Sequence, residues 1–393
     1  MNHKKITLLF NPNQYFDRLI IEGIGQYLQA IQLDWSMHIE TDVTQCVGPI
    51  DECLGDAVIA DFDHPDIRER LRDYTKPMVA VGSSYENELA YPHRPFVASD
   101  NYALMNAAYQ HLTDRGLHRV AFYGPTETPS TRWIGERERA LIQLSNAQGQ
   151  PLNIYRAPES GFNSPHEHIS DIAQWLTSLD LPIGLIAAND SCARSVLLAA
   201  QQAEIAVPDQ LAVIGVDDDD ITRHLHRISL SSVVQSNQEM GYQAAKTLHL
   251  MLQGQTTSPN IIKFGPSNLV AKQSTEFTSL NDKLVIEAMQ FIRQHATQGI
   301  KVSDITQHLG VSRSNLEARF KNERGHSIHH EIHQAKITRA QRLLSSTMLP
   351  TREIAELCGY PSLQYMYAVF SKNFGYTPKE YRNKNHKKKL SEG

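Results

Sequence analysis

Polar and charged side chains gather at one recurrent place in this 393-residue chain, immediately after short apolar runs. Asn11, Tyr15, Asp17 and Arg18 follow the first such run. Asp100 with Asn101, Asn189 with Asp190, the four aspartates Asp217 to Asp220, and Gln235 follow later ones, and Trp133 and Arg137 lie in a neighbouring segment. Carboxylates, amides and guanidinium groups match hydroxyls that each donate and accept a hydrogen bond, and a flat aromatic covers an apolar C–H face. The set therefore suits a neutral polyhydroxy ligand such as a sugar. Its candidate contacts are Tyr15, Asp17, Arg18, Asp100, Asn101, Trp133, Arg137, Asp190, Asp217 and Gln235. Any one of them taken alone reads equally well as a turn former or helix cap. The aspartate run also suits a hard divalent cation, although no glycine-punctuated calcium loop surrounds it.

Other chemistries lack their motifs. There is no GxxxxGK[ST] loop for a nucleotide, and Gly23-Ile24-Gly25 lacks the third glycine of a dinucleotide fingerprint. No GxSxG elbow and no HExxH pair is present, so isolated carboxylates here are expected to bind rather than react. The chain reads as a non-enzyme with no cofactor. His326, His329, His330 and His333 include an i, i+4 pair that can ligate a metal, but helix-surface and core histidines are commoner, and no metal is assigned.

The apolar runs that must position these residues are Ile6 to Phe10, Ala57 to Phe62, Met78 to Gly82, Phe96 to Ser99, Val120 to Gly124, Leu185 to Ala188, Ala212 to Val216 and Ser231 to Val234. Amphipathic segments such as Arg18 to Ile31, Tyr102 to Arg115 and Ser191 to Ala203 separate them. Continuous apolar strands alternating with helices predict buried parallel sheet in βαβ units. About 280 residues exceed one sheet, so two α/β lobes with a cleft between them are expected, the ligand lying beyond the carboxyl ends of the strands.

A second pattern occupies the C-terminal part. Ile305-Thr-Gln-His-Leu-Gly310 returns as Ile354-Ala-Glu-Leu-Cys-Gly359, and Leu316, Phe320, Gly325 and Ser327 then correspond to Met366, Phe370, Gly375 and Thr377. Each unit reads as helix, turn through glycine, second helix: a helix-turn-helix whose second helix enters the major groove. Arg313, Ser314, Asn315 and Glu317 are the DNA-facing candidates of one unit. Ser362, Gln364, Tyr365 and Tyr367 are those of the other. An amphipathic helix from about His329 to Leu344 is expected to join the units.

Charge agrees with that division. Residues 283 to 393 carry 18 Lys and Arg against 9 Asp and Glu, while the rest carries 20 against 34. A basic end on an acidic body points to a polyanion partner for the basic end. No apolar run approaches the roughly 20 residues of a membrane span, and the start lacks a secretory core, so a cytoplasmic protein without membrane contact is expected. Cys46, Cys53, Cys192 and Cys358 show no CxxC pairing, which suits reduced thiols. The expected domains are a sensor at 1–276, a linker at 277–284, a DNA-binding domain at 285–384 and a solvated basic tail at 385–393.

Through Ile305 to Gly310, Val311-Ser312-Arg313, Leu316 to Phe320, Ile354 to Tyr360 and Phe370 to Tyr381, the tail resembles the AraC family of transcription regulators. Through Asp100-Asn101-Tyr102, Ala187 to Asp190 and Val213 to Asp217, the body resembles the periplasmic-binding-protein-like sensor of LacI/GalR regulators. The combination implies a sugar-responsive activator of xylose catabolism and transport genes. Its implied partners are D-xylose or a related monosaccharide, operator DNA, RNA polymerase and a second copy of the chain. It also implies that Asp100, Arg137, Asp190, Asp217 and Gln235 touch the sugar. One departure matters: that sensor family carries its DNA-binding domain at the N-terminus, so its hinge-helix mechanism does not transfer.

Overall fold

A computed structural model of the chain describes residues 3–41, 49–158, 161–162, 164–221, 227–255, 260–277 and 282–391, the last seven through their backbone alone. The chain divides into two compact units, Met1–Thr278 and Ser279–Gly393.

The first unit holds two six-stranded sheets. β1 (Lys4–Leu9), β2 (Trp35–Glu40), β3 (Ala57–Asp61), β4 (Met78–Ser83) and β5 (Phe96–Ser99) build the first; β6 (Val120–Pro125), β7 (Asn153–Ala157), β8 (Ile183–Ala187), β9 (Leu211–Val216) and β10 (Ser231–Gln235) build the second. β11 (Ile261–Phe264) then returns to the first sheet and β12 (Pro266–Val270) to the second. The orders are β11-β5-β4-β3-β1-β2 and β12-β10-β9-β8-β6-β7. All pairs run parallel except β10 with β12. The chain thus crosses between lobes three times, after β5, after β10 and between β11 and β12. β4, β5, β8 and β9 are buried along their whole length, as strands covered by helices on both faces must be.

Polar residues at the strand ends start several of the covering helices. Asp100 caps Asn101–Thr113, its carboxylate accepting from the Ala103 amide at 3.0 Å, and Asn189 caps Asp190–Gln202, accepting from the Cys192 amide at 2.9 Å. Cys53 is disulfide-bonded, which corrects the expectation of reduced thiols at that position; Cys192 and Cys358 are free, and Cys46 lies outside the described residues.

The second unit is all helix, with two hydrophobic cores. Lys283–His295, Val302–Leu309 and Arg313–Arg324 surround one; Thr351–Leu357 and Leu363–Phe374 surround the other. Ile328–Ser346 serves both. It gives Ile328 and Ile332 to the first core, beside Leu316 and Phe320, and Ile337, Ala340 and Leu344 to the second, beside Met366 and Phe370. Gly310 (φ 65°) and Gly359 (φ 66°) make the turns within the two repeats, in the left-handed region that a Cβ disfavours. The backbone helix Pro378–Ser391 runs through most of the segment expected to be a solvated basic tail.

Candidate functional site

At the carboxyl ends of β9 and β10, three elements meet through hydrogen bonds. Gln235 donates its Nε2–H to Asp217 Oδ1 at 2.6 Å, and its Oε1 accepts from the Ser99 hydroxyl of β5 at 2.7 Å, so one side chain ties the first lobe to the second. Asp190, at the start of its helix, accepts from the Ser232 hydroxyl at 2.7 Å and the Asp219 amide at 3.0 Å. Gly215 makes room for it: a Cβ there would lie 2.1 Å from Asp190 Oδ1.

Arg137 reaches into the same place from the helix Arg132–Ala147. Buried to 4% exposure, it donates through Nε to Asn101 Oδ1 at 2.9 Å and through Nη1 to the Ala188 carbonyl at 2.5 Å, with its guanidinium 4.7 Å from the Trp133 ring centre. Burial lowers its pKa, and the carboxylates of Asp217, Asp63 and Asp190 oppose that effect. The Asn101 Nδ2 group is buried with no hydrogen-bond partner. An unsatisfied buried donor costs about 1–3 kcal/mol, which an oxygen-rich ligand would relieve.

Electrostatics join the remaining candidates to this centre. Burial pushes Asp217 up to about 6, against the pull of Arg137 and the Gln235 hydrogen bond. Asp190 is raised well above the ordinary carboxylate range, by burial first and then by Asp217. Burial and the field of Asp217 to Asp220 push the Tyr15 phenol up to about 12. Asp17, which accepts from the Asn11 amide at 2.7 Å, is pushed up to about 6 by burial and by Asp63. Two sequence candidates stand apart. Arg18 is exposed, its guanidinium 5.7 Å from the Tyr15 ring centre, and the Asp100 carboxylate serves as a helix cap.

Sequence reasoning missed a second contact between the lobes. Arg132, of the second lobe, donates to Asp63 Oδ1 at 2.7 Å, the Ser83 carbonyl at 2.7 Å and the Ser84 carbonyl at 2.6 Å, and its guanidinium lies 3.7 Å from the Tyr85 ring centre. The Ser83 amide fixes the other Asp63 oxygen at 2.9 Å. Asp61, a neighbour of Asp63, is raised well above the ordinary range by burial, then by Asp63 and Asp17. Asp63 directly follows the run Ala57 to Phe62, and Asp61 lies at its carboxyl end, so the strand-end rule had the signal to find them.

In the second unit Arg313, Ser314 and Asn315 are exposed on the first turn of Arg313–Arg324, Glu317 is half-buried, and Gln364 and Tyr365 are exposed on Leu363–Phe374 with Tyr367 half-buried. Ser362 caps that helix, accepting from the Tyr365 amide at 3.1 Å, and Ser312 does the same in the first repeat. Asn315 Oδ1 accepts from Arg319 Nε at 3.2 Å, and Arg319 also binds Asp282 at 2.8 Å.

A two-lobed sensor with a polar centre, joined to paired helix-turn-helix repeats, defines a ligand-responsive transcription regulator rather than an enzyme. Residues 5–102 match the model of the XylR N-terminal domain, 109–275 that of a periplasmic binding protein-like domain and 305–384 that of a helix-turn-helix domain. The chain is 44% identical over 381 residues to the xylose operon regulatory protein of Escherichia coli (strain K12), covering 97% of each. It is 44% identical over 378 residues to that of Haemophilus influenzae, covering 96% of this chain and 98% of the relative. It therefore belongs to the family of xylose operon regulatory proteins. A solved structure of the xylose-binding transcription activator XylR matches with a TM-score of 0.89 at 43% identity, over 98% of this chain and 99% of that one. A ribose-bound LacI-family regulator from Enterococcus faecium shares the sensor fold, with a TM-score of 0.55 at 17% identity over 71% of this chain and all of that one. Among the described residues no helix is long and apolar enough to cross a membrane.

Proposed function

We propose that this protein activates transcription of xylose catabolism and transport genes when D-xylose, or a closely related monosaccharide, occupies the centre between its two lobes. The observation that carries the sugar site is Arg137, which is hydrogen-bonded to Asn101, whose buried amide donor has no partner, and which lies in the fields of Asp190 and of the Gln235-bound Asp217. Carboxylate and amide oxygens there accept from sugar hydroxyls, Asn101 donates, and Trp133 offers a face to the C–H groups of the ring. From the first lobe, Tyr15 lies in the field of Asp217 and Asp63 in that of Arg137, with Asp17 beside Asp63. Membership of a family named for the xylose operon supports D-xylose as the ligand. On the DNA side, Gln364 and Ser314 read base edges, Arg313 meets phosphate, and the other exposed residues of both helices position them in successive major grooves. The regulator works as a homodimer on a two-part operator and contacts RNA polymerase once seated. Titration calorimetry with D-xylose, D-ribose, L-arabinose, D-glucose and D-allose tests the ligand. D-Xylose is expected to bind most tightly and to be recovered unchanged, and heat from another sugar with none from D-xylose would overturn the assignment.

A further inference from the structure

Between the two helix-turn-helix repeats lies a groove of about 420 Å³, with Lys301, Arg313, His329, His333, Lys336 and Tyr365 among its walls and no carboxylate among its lining residues. Arg313 begins the second helix of the first repeat, and Tyr365 lies in the first turn of the corresponding helix of the second. The histidines and Lys336 come from the helix Ile328–Ser346 that both cores share. Donors outnumber acceptors in this wall. Lys336 Nζ donates to the Gly359 carbonyl at 2.9 Å, and the Tyr360 hydroxyl is buried with no partner.

Such a concentration of cations and donors is unfavourable in the free protein. Burial lowers the pKa of His333, and the fields of His329, His330, Lys336 and Lys372 lower it further, while burial lowers that of Lys336. An anion relieves all of these at once. The position of the groove selects the anion: both helices expected to enter the major groove contribute their first turns to its rim, so a duplex engaging both must carry its backbone across the groove. B-DNA presents a charge about every 1.7 Å of axis there.

We propose that this groove seats the sugar–phosphate backbone of the DNA segment lying between the two recognition helices, with Lys301, His329 and His333 as phosphate contacts. The proposal rests on the DNA-binding reading and adds a contact that carries no sequence information but holds the register of the two repeats on the duplex. Bound phosphates would attract the groove's cations without regard to base sequence, so a fluorescein-labelled random duplex of about 30 base pairs serves as the probe. Its anisotropy is followed against full-length protein between about 50 and 200 mM KCl. Lys301→Gln and the double variant His329→Gln/His333→Gln are each expected to lower affinity about 3-fold or more, and Lys301→Gln to reduce the salt exponent by about one. Lys301→Arg is expected to restore both quantities, and thermal melts establish that each variant is folded. Unchanged affinity and salt exponent in the folded Lys301→Gln and double variants would overturn the groove assignment. Failure of the wild-type protein to bind the duplex would instead overturn the DNA-binding reading on which it stands.

Discussion

Asp217 is where burial and chemistry compete most openly. Its carboxylate is held by Gln235 and faced by Arg137, yet burial raises its pKa to about 6 from an ordinary 3.8. The sign follows from linkage. The folded form holds the proton more tightly than the unfolded form, so ionised Asp217 destabilises the sensor above about pH 6, and protonation relieves this as pH falls toward 4. Asp217→Asn should therefore melt at a higher temperature than wild type near about pH 7.5, and the gap should narrow to about half by about pH 5 and close only toward about pH 4. Sugar affinity should move the other way: protonation removes an acceptor, so calorimetry should find weaker binding at about pH 5 than at about pH 7.5, to which Asp17 contributes in the same direction. Equal affinities at the two pH values would place Asp217 outside the contact set. Asp217 and Gln235 were legible because each directly follows an apolar run, and Asp190 because it lies two residues past one. Arg132 was not, since its partners Asp63, Ser83 and Ser84 lie about 50 to 70 residues upstream and only the contact between the lobes unites them.

Among elements, β9 shows how a strand interior sets a binding group. Gly215 leaves a space that Asp190 Oδ1 fills, so Gly215→Ala must push the carboxylate off its Ser232 and Asp219 partners. The expected result is a folded sensor with D-xylose affinity lowered by about 1–3 kcal/mol, the scale of a charged hydrogen bond; wild-type calorimetry from this variant would free Asp190 of any sugar contact. The two recognition helices separate by role. Gln364→Ala should weaken operator binding more than random-DNA binding, whereas Arg313→Ala should weaken both and flatten the salt dependence. Equal losses on the two DNAs from Gln364→Ala would mean the second helix had been misread. The eight central strands could be read from continuous apolar runs, and the paired repeats from recurring residues. β2, β7, β11 and β12 escaped because edge strands are half-exposed and alternate in polarity, as in Trp35–Glu40, which leaves no continuous run to detect.

At the scale of the whole molecule, a sugar can change DNA binding only through a difference in its affinity for two arrangements of the protein, and linkage makes the effect mutual. Titrating operator into the full-length protein with zero and saturating D-xylose should show about 5- to 150-fold tighter binding with sugar, and operator should tighten sugar binding by the same factor. Identical operator affinities would leave activation to a step after DNA binding. The threefold crossing between lobes also governs how the chain leaves the ribosome. β5 waits for β11, and β10 for β12, so the first sheet is not complete until Phe264 has been made, nor the second until Val270. The nascent sensor meanwhile carries two bare strand edges, the surfaces on which unfinished sheets pair with the wrong partner. The helical repeats that follow are built from neighbours in sequence and close quickly once made. Synthesis therefore passes its most vulnerable interval about two thirds of the way along the chain, and a message broken there yields a sticky fragment rather than a half-working regulator.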